Sequence, residues 1–216
     1  MGSIPPKLDL ASGLEIDDPL GRLRRFSDEE YEFYDGIVEV RANDVEPVDV
    51  LSTFSVNGNI EKNIYLFGKT LADKIRNLCR EMNRRCSAHL AHIPHDADLL
   101  SFDPGFASFE QLLRAATSIR GVGNAVATKI LHRKRRNFIP MLDSVVVKHY
   151  ASPYETDEMR RALVAIGRFR EDLRQGAQVV VDLQVAIRGF GYRLEAVRIL
   201  EILIWTELTN LYKAGR

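Results

Sequence analysis

The chain has 216 residues, 45% of them hydrophobic, with 30 basic and 30 acidic side chains. That length suits one domain or two small lobes sharing a core, and a net charge of zero names no partner by itself. No apolar run approaches the ~20 residues needed to cross a bilayer, and two cysteines are too few for a disulfide framework.

Residues 1–20, opening "MGSIPPKLDLASG", show no charged-then-apolar signal pattern and read as a flexible leader. Residues 21–216 are expected to form a single helical module. "GIVEV", residues 36–40, is the one plausible strand. In "NDVEPVDVLSTF", Asn43 and Glu46 have capping-box spacing, which predicts a helix start. From about residue 61 to 90, Ile64, Phe67, Leu71, Ile75, Leu78 and Met82 recur at three and four, a helical period. Cys79 and Cys86 fall in this stretch, match no zinc or iron–sulfur spacing, and read as neutral thiols in a reducing cytosol. His89, His92 and His95 surround a helix break at Pro94 and complete no ligand set.

A second capping box, Ser108 with Gln111, opens "SFEQLLRAATSI", with Phe109, Leu112, Leu113, Ala116 and Ile119 on one face. A helix is predicted over 144–150. Thr156 is expected to cap another, with Met159, Leu163 and Ile166 as its stripe. "AQVVVDLQVAI" is ambiguous between strand and helix. The C-terminal stretch predicts a long amphipathic helix on Leu194, Val197, Leu200, Ile204, Leu208 and Leu211, with Trp205 in the core and Glu195, Arg198 and Glu201 on other faces. The expected fold is all-α and two-lobed, of some eight helices. N-terminal helices and the C-terminal helix would form one lobe and the hairpin helices, residues 106–133, the other.

Charge is unevenly spread. Residues 1–50 hold thirteen acids and five basic residues, whereas from Ser118 to Tyr150 the basic residues Arg120, Lys129, Arg133, Lys134, Arg135, Arg136 and Lys148 face one acid, Asp143. A local excess of this kind points to an anionic partner or to a solvated helix end. In "IRGVGNAV", Gly121 and Gly123 permit a tight turn, and the next helix starts at once. Its first amides would face outward at the positive end of the dipole, a phosphate seat that needs no side chain. The phosphate-binding set read from this pattern is Gly121, Val122, Gly123, Lys129, Arg133, Lys134 and Arg135.

The stretch Ile119-Arg120-Gly121-Val122-Gly123 resembles the hairpin of the helix-hairpin-helix DNA glycosylase superfamily, which typically reads L-P-G-V-G. In that superfamily a catalytic aspartate follows at a set distance, just before a helix, and the matching position is Asp143. Its frame "FIPMLDSVVVK", with Pro140 three residues earlier, is similar to that of the adenine-excising branch; the aspartate segment spans residues 138–150. The resemblance implies a cleft between the lobes with Asp143 at its floor, and hydrolysis of the N-glycosidic bond of a damaged or modified base. A carboxylate there would stabilise positive charge on the sugar and orient water, once the base has left the stack. Bifunctional members carry a lysine where this chain has Ala125, so a monofunctional enzyme leaving an abasic site is implied. The cysteine quartet of the iron–sulfur branches is absent. Arg136 and Asn137 stand where a glycine is usual. No cofactor is expected beyond a structural monovalent cation that the hairpin can hold. DNA is the expected partner, with no membrane, a monomeric state and a cytoplasmic, nucleoid-associated location.

"DVLSTFSV", "HIPHDADL", "GVGNAVATKILHRKRRNFIPMLDSVV" and "LEILIW" also resemble, in order, segments of a bacterial family described only as a domain of unknown function. Two rivals stay open beside the enzyme, a non-catalytic DNA-binding module and a protein–protein scaffold with a coincidental basic face. Aspartate is a preferred N-cap, so Asp143 can serve its own helix, and a non-catalytic helix-hairpin-helix module would share the hairpin. Tyr31, Phe33, Tyr34, Phe190 and Tyr192 read as core or rim residues, with stacking on an extruded base as the alternative.

Overall fold

A computed structural model describes residues 4–37, 41–54, 56, 68–101 and 105–212. Among these the fold is all-α, with one antiparallel strand pair, β1 (Lys7–Asp9) and β2 (Glu15–Asp17). The helices are α1 (Pro19–Glu30), α2 (Pro47–Ser52), α3 (Leu71–Ala91), α4 (Gly105–Thr117), α5 (Asn124–His132), α6 (Ser144–Tyr150), α7 (Glu158–Gln175), α8 (Ala177–Gly189) and α9 (Ala196–Leu208). None of the described helices is long and apolar enough to cross a membrane. The chain divides into two compact units rather than the one module expected over 21–216. Met1–Gly36 joins Ser144–Arg216 in the first, and Ile37–Asp143 makes the second.

In the first unit the segment expected to be a flexible leader is built into the fold from residue 4. Leu8 pairs with Ile16 across the strands, and both are buried with Leu10. The turn between the strands is fastened to α7: Ser12 N–H and Ser12 Oγ–H each donate at 2.7 Å to the buried carboxylate of Asp172. Three apolar side chains and two charge-assisted bonds outweigh the ordering cost of so short a segment. Asp18 then caps α1 through Gly21 N–H, with Pro19 preset at the first helical position.

The helix α1 packs its Leu23 and Phe26 towards α8 and α9. Its C-terminal partner α9 is buried almost all round, so Arg198 and Glu201, expected on outer faces, lie inside. They are tolerated because the Arg198 guanidinium meets Asp35 at 3.0 Å and Glu201 at 3.0 Å and lies over the rings of Phe26 and Tyr34. Trp205 is half-buried and meets Phe26 edge-on at 6.4 Å. The valine-rich 177–189 stretch resolves as helix, burying Val180, Leu183 and Ile187 and leaving Val181 and Val185 exposed. In α7 the cap is Asp157 rather than Thr156. The core stripe is Ala162, Ala165, Ile166, Phe169 and Leu173, so Met159 and Leu163 sit at its margin.

In the second unit α2 starts three residues later than the Asn43 capping box predicts. Glu46 is the cap and Asp49 completes the box, with Pro47 at the first position. The helix α3 begins at a Thr70 cap that accepts from Asp73 N–H. The part of its predicted pattern over 61–67 lies outside the described residues, as does 38–40 of the predicted strand; Gly36 and Ile37 form a turn and a bend. The helix α4 begins before Ser108, so the expected box there falls inside the helix. Its predicted face of Phe109, Leu112, Leu113 and Ala116 is buried nonetheless. Burial holds the Cys79 thiol up at about 11 and the Cys86 thiol up at about 12.

Candidate nucleic-acid interface

The helices α4 and α5 pack on each other and are joined by the six residues 118–123. Ile119 and Val122 fold inward and are buried. Ile119 N–H donates to Ala116 O and Val122 N–H donates to Ile119 O, which tightens the bend. Gly121 has φ +90, a left-handed conformation that a side chain would strain. Gly123 differs. Its φ of −88 and ψ of 174 are ordinary extended backbone, and a β-carbon there would meet nothing within 4 Å. It is exposed, it is the N-cap of α5, and it brings no capping side chain. Neither backbone conformation nor internal space calls for glycine at 123. What its absent side chain leaves open is approach from outside, at the end of a helix whose first amides have no intrahelical acceptors.

The segment that leads to Asp143 is fastened to this same helix. Leu142 N–H donates to Thr128 Oγ1 at 3.0 Å, and Thr128 Oγ1–H donates to Asn124 O at 2.8 Å. Thr128 is fully buried and lies five residues beyond Gly123, about 7.5 Å along the axis. Asp143 itself is half-exposed and immediately precedes α6. Hairpin and carboxylate therefore belong to one compact unit and are linked through one side chain. Ala125, with no nucleophile, is half-buried in the first turn of α5.

The basic block is a different matter, and the reading of it as phosphate-binding is corrected. Arg133, Lys134 and Arg135 are 0%, 1% and 2% exposed, and Lys129 is 5% exposed. Arg133 Nε donates to Asp49 Oδ1 at 2.8 Å, and Lys134 Nζ meets Asp49 Oδ2 at 2.6 Å. Arg135 donates to the carbonyls of Ala42, Ile93 and Leu90 and to Asn43 Oδ1. Lys129 Nζ donates to Val56 O, and Arg136 donates to Ile37 O. These cations clamp Ile37, Ala42, Asn43, Asp49, Val56 and the end of α3 onto the end of α5, so their donors point inward and not at a ligand. The exposed basic residue at the bend is Arg120, next to Gly121. In the sequence Arg120 is one of the local charges and has no assigned role. Its signal was its place inside the turn, where no helix face can bury it.

The aromatic candidates separate by burial. Tyr34 is in the core, Tyr31 and Tyr192 are half-buried against each other, and Phe33 and Phe190 are exposed.

No curated protein matches the chain, and neither does any solved structure. Residues 17–208 match a family described only as being of unknown function, DUF6308, in agreement with the ordered resemblance of its segments to such a family. The chain belongs to that family, DUF6308.

Proposed function

We propose that the chain is a DNA N-glycosylase of the helix-hairpin-helix kind, monofunctional, removing a damaged or modified base and leaving an abasic site. The observation that carries this reading is the Leu142–Thr128 hydrogen bond, which ties the residue before Asp143 to the hairpin's second helix a little over one turn from Gly123. In this reading the Gly121–Gly123 bend seats one phosphate on backbone amides and Arg120 adds charge beside it. Asp143 then stands within a nucleotide's reach of the docked backbone. Water adds to the anomeric carbon as the bond to the base nitrogen breaks. The departing base keeps the electron pair and takes up a proton, and Asp143 offsets the charge on the sugar and accepts the water's proton.

The test incubates the protein with duplexes carrying a panel of altered bases, bulky hypermodified viral ones included, followed by hot alkali. Strand breaks by the wild-type protein are expected. They should fall by about 10²–10⁴ in Asp143→Asn while binding persists. Gly123→Leu, whose β-carbon meets nothing within 4 Å, should weaken binding by roughly tenfold by blocking the phosphate. A second reading, a non-catalytic DNA-binding module, is favoured by the place of Asp143 immediately before α6, where an aspartate serves its own helix as a cap. Binding without breaks across the panel would select it.

A further inference from the structure

The connection from α8 to α9 reads Arg188-Gly189-Phe190-Gly191-Tyr192-Arg193. Three residues of one face of α1 and the 3₁₀ turn that follows it pin this loop down. The Arg24 guanidinium carbon lies 4.5 Å from the centroid of the Phe190 ring. Tyr192 Oη–H donates to Asp28 Oδ1 at 2.6 Å. Tyr31 meets the Tyr192 ring edge-on at 5.0 Å, and its hydroxyl accepts from Arg193 N–H at 3.1 Å. Arg24, Asp28 and Tyr31 are spaced by four and three, so they share a face. Within the loop, Phe190 and Tyr192 N–H donate to Ile187 O and Gly191 N–H donates to Arg188 O.

So firm a loop nevertheless leaves Phe190 47% exposed. A ring left this open to water returns less to the fold than a buried phenylalanine, the usual use of that residue. The flanking glycines keep the ring's surroundings clear. Gly191, at φ +94, is set by the turn. Gly189 is not: its backbone is ordinary, a β-carbon there would meet nothing within 4 Å, and glycine weakens the helix it ends. Exposed Arg188 and Arg193 stand on either side. Asp28 is engaged by Tyr192 and, at 3.8 Å, by Arg24, while Glu32 also faces Tyr192. The patch is therefore mixed in charge, and its distinguishing feature is a ring backed by a cation.

The geometry points to this loop as a stacking platform for an unpaired nucleobase, on single-stranded or locally opened DNA. Every base offers a π-face, and a ring braced from behind by a guanidinium can receive it without losing rotamer freedom on binding. Arg188 and Arg193 supply charge for the flanking phosphates. The proposal rests on DNA as the partner, but on neither Asp143 nor the hairpin, which belong to the other unit.

The experiment measures anisotropy of a labelled thymidine strand of about 20 nucleotides and of a base-free sugar–phosphate strand of equal length, with full-length protein at one low salt concentration. Wild type should bind the thymidine strand more tightly than the base-free one. Phe190→Ala should lose about tenfold on the thymidine strand and nothing on the base-free strand. Phe190→Trp should keep the affinity and show emission quenched by the bound bases. Equal affinity for the two strands, or an unchanged Phe190→Ala, overturns the platform; if binding then still falls in Gly123→Leu, the DNA reading survives without it. No binding of wild type to either strand, or to duplex, overturns both.

Discussion

Asp49 is fully buried and receives Arg133 on one oxygen and Lys134 on the other. Removing its charge while keeping its shape strands two cations inside. Asp49→Asn should therefore destabilise the protein by about 3–5 kcal/mol, read from urea denaturation midpoints. The thiols give a second check at this scale. Burial raises Cys79 to about 11 and Cys86 to about 12, above the ordinary value of 9.0. Both should resist a thiol reagent at pH 8 until the protein is unfolded. The folded state binds the thiol proton more tightly than the unfolded one. The thiols' contribution to stability should thus be level below about pH 8.5 and fall as pH rises towards 11. Replacing Cys79 and Cys86 by alanine should flatten that slope. The basic block shows what a sequence leaves hidden at this scale. Lys129 to Arg135 look the same on paper whether they face water or a carboxylate, and the partner that decides it, Asp49, lies 84 residues from Arg133.

Elements were more legible than side chains. The α4 face, the tight bend and the α6 limits follow from periodicity, glycine and a capping-type residue, all of them local signals. The strand pair at 7–9 and 15–17 escaped because three residues carry almost no period, and its anchor, Asp172, is 160 residues from Ser12. That anchor carries a prediction. Asp172 accepts from Ser12 N–H, Ser12 Oγ–H and Tyr150 Oη–H, the last at 2.5 Å. Asp172→Ala removes all three and leaves a buried phenol without its acceptor. A loss of about 3–5 kcal/mol is expected. Limited proteolysis should then cut within residues 4–18 before any other described segment. The Thr128 link is gentler. Thr128→Val should cost about 1–3 kcal/mol through the orphaned Leu142 amide, and Thr128→Ser should restore it.

For the whole molecule, the two units differ in how the chain builds them. Ile37–Asp143 is one uninterrupted stretch with its own core of α2 to α5, whereas the other unit needs both ends of the chain. A fragment of residues 37–143 should melt cooperatively by circular dichroism, while 144–216 alone, lacking α1 and the strand pair, should not. The all-α class was readable from amphipathic stripes, whereas the grouping of N-terminal with C-terminal helices came from the family resemblance, and α1 (Pro19–Glu30) went unread. The charged interior of α9 was not readable, because Arg198 and Glu201 obey no apolar pattern and one partner that stabilises them, Asp35, lies 163 residues before Arg198.

That separation has a consequence during synthesis. Asp35 leaves the ribosome 163 residues ahead of its partner Arg198 on α9. At about 5–20 residues per second the first segment waits roughly 8–30 s with Leu23 and Phe26 uncovered, while the middle unit finishes folding beside it. Slow codons in the stretch encoding 144–216 would lengthen that exposure and lower the yield of native protein.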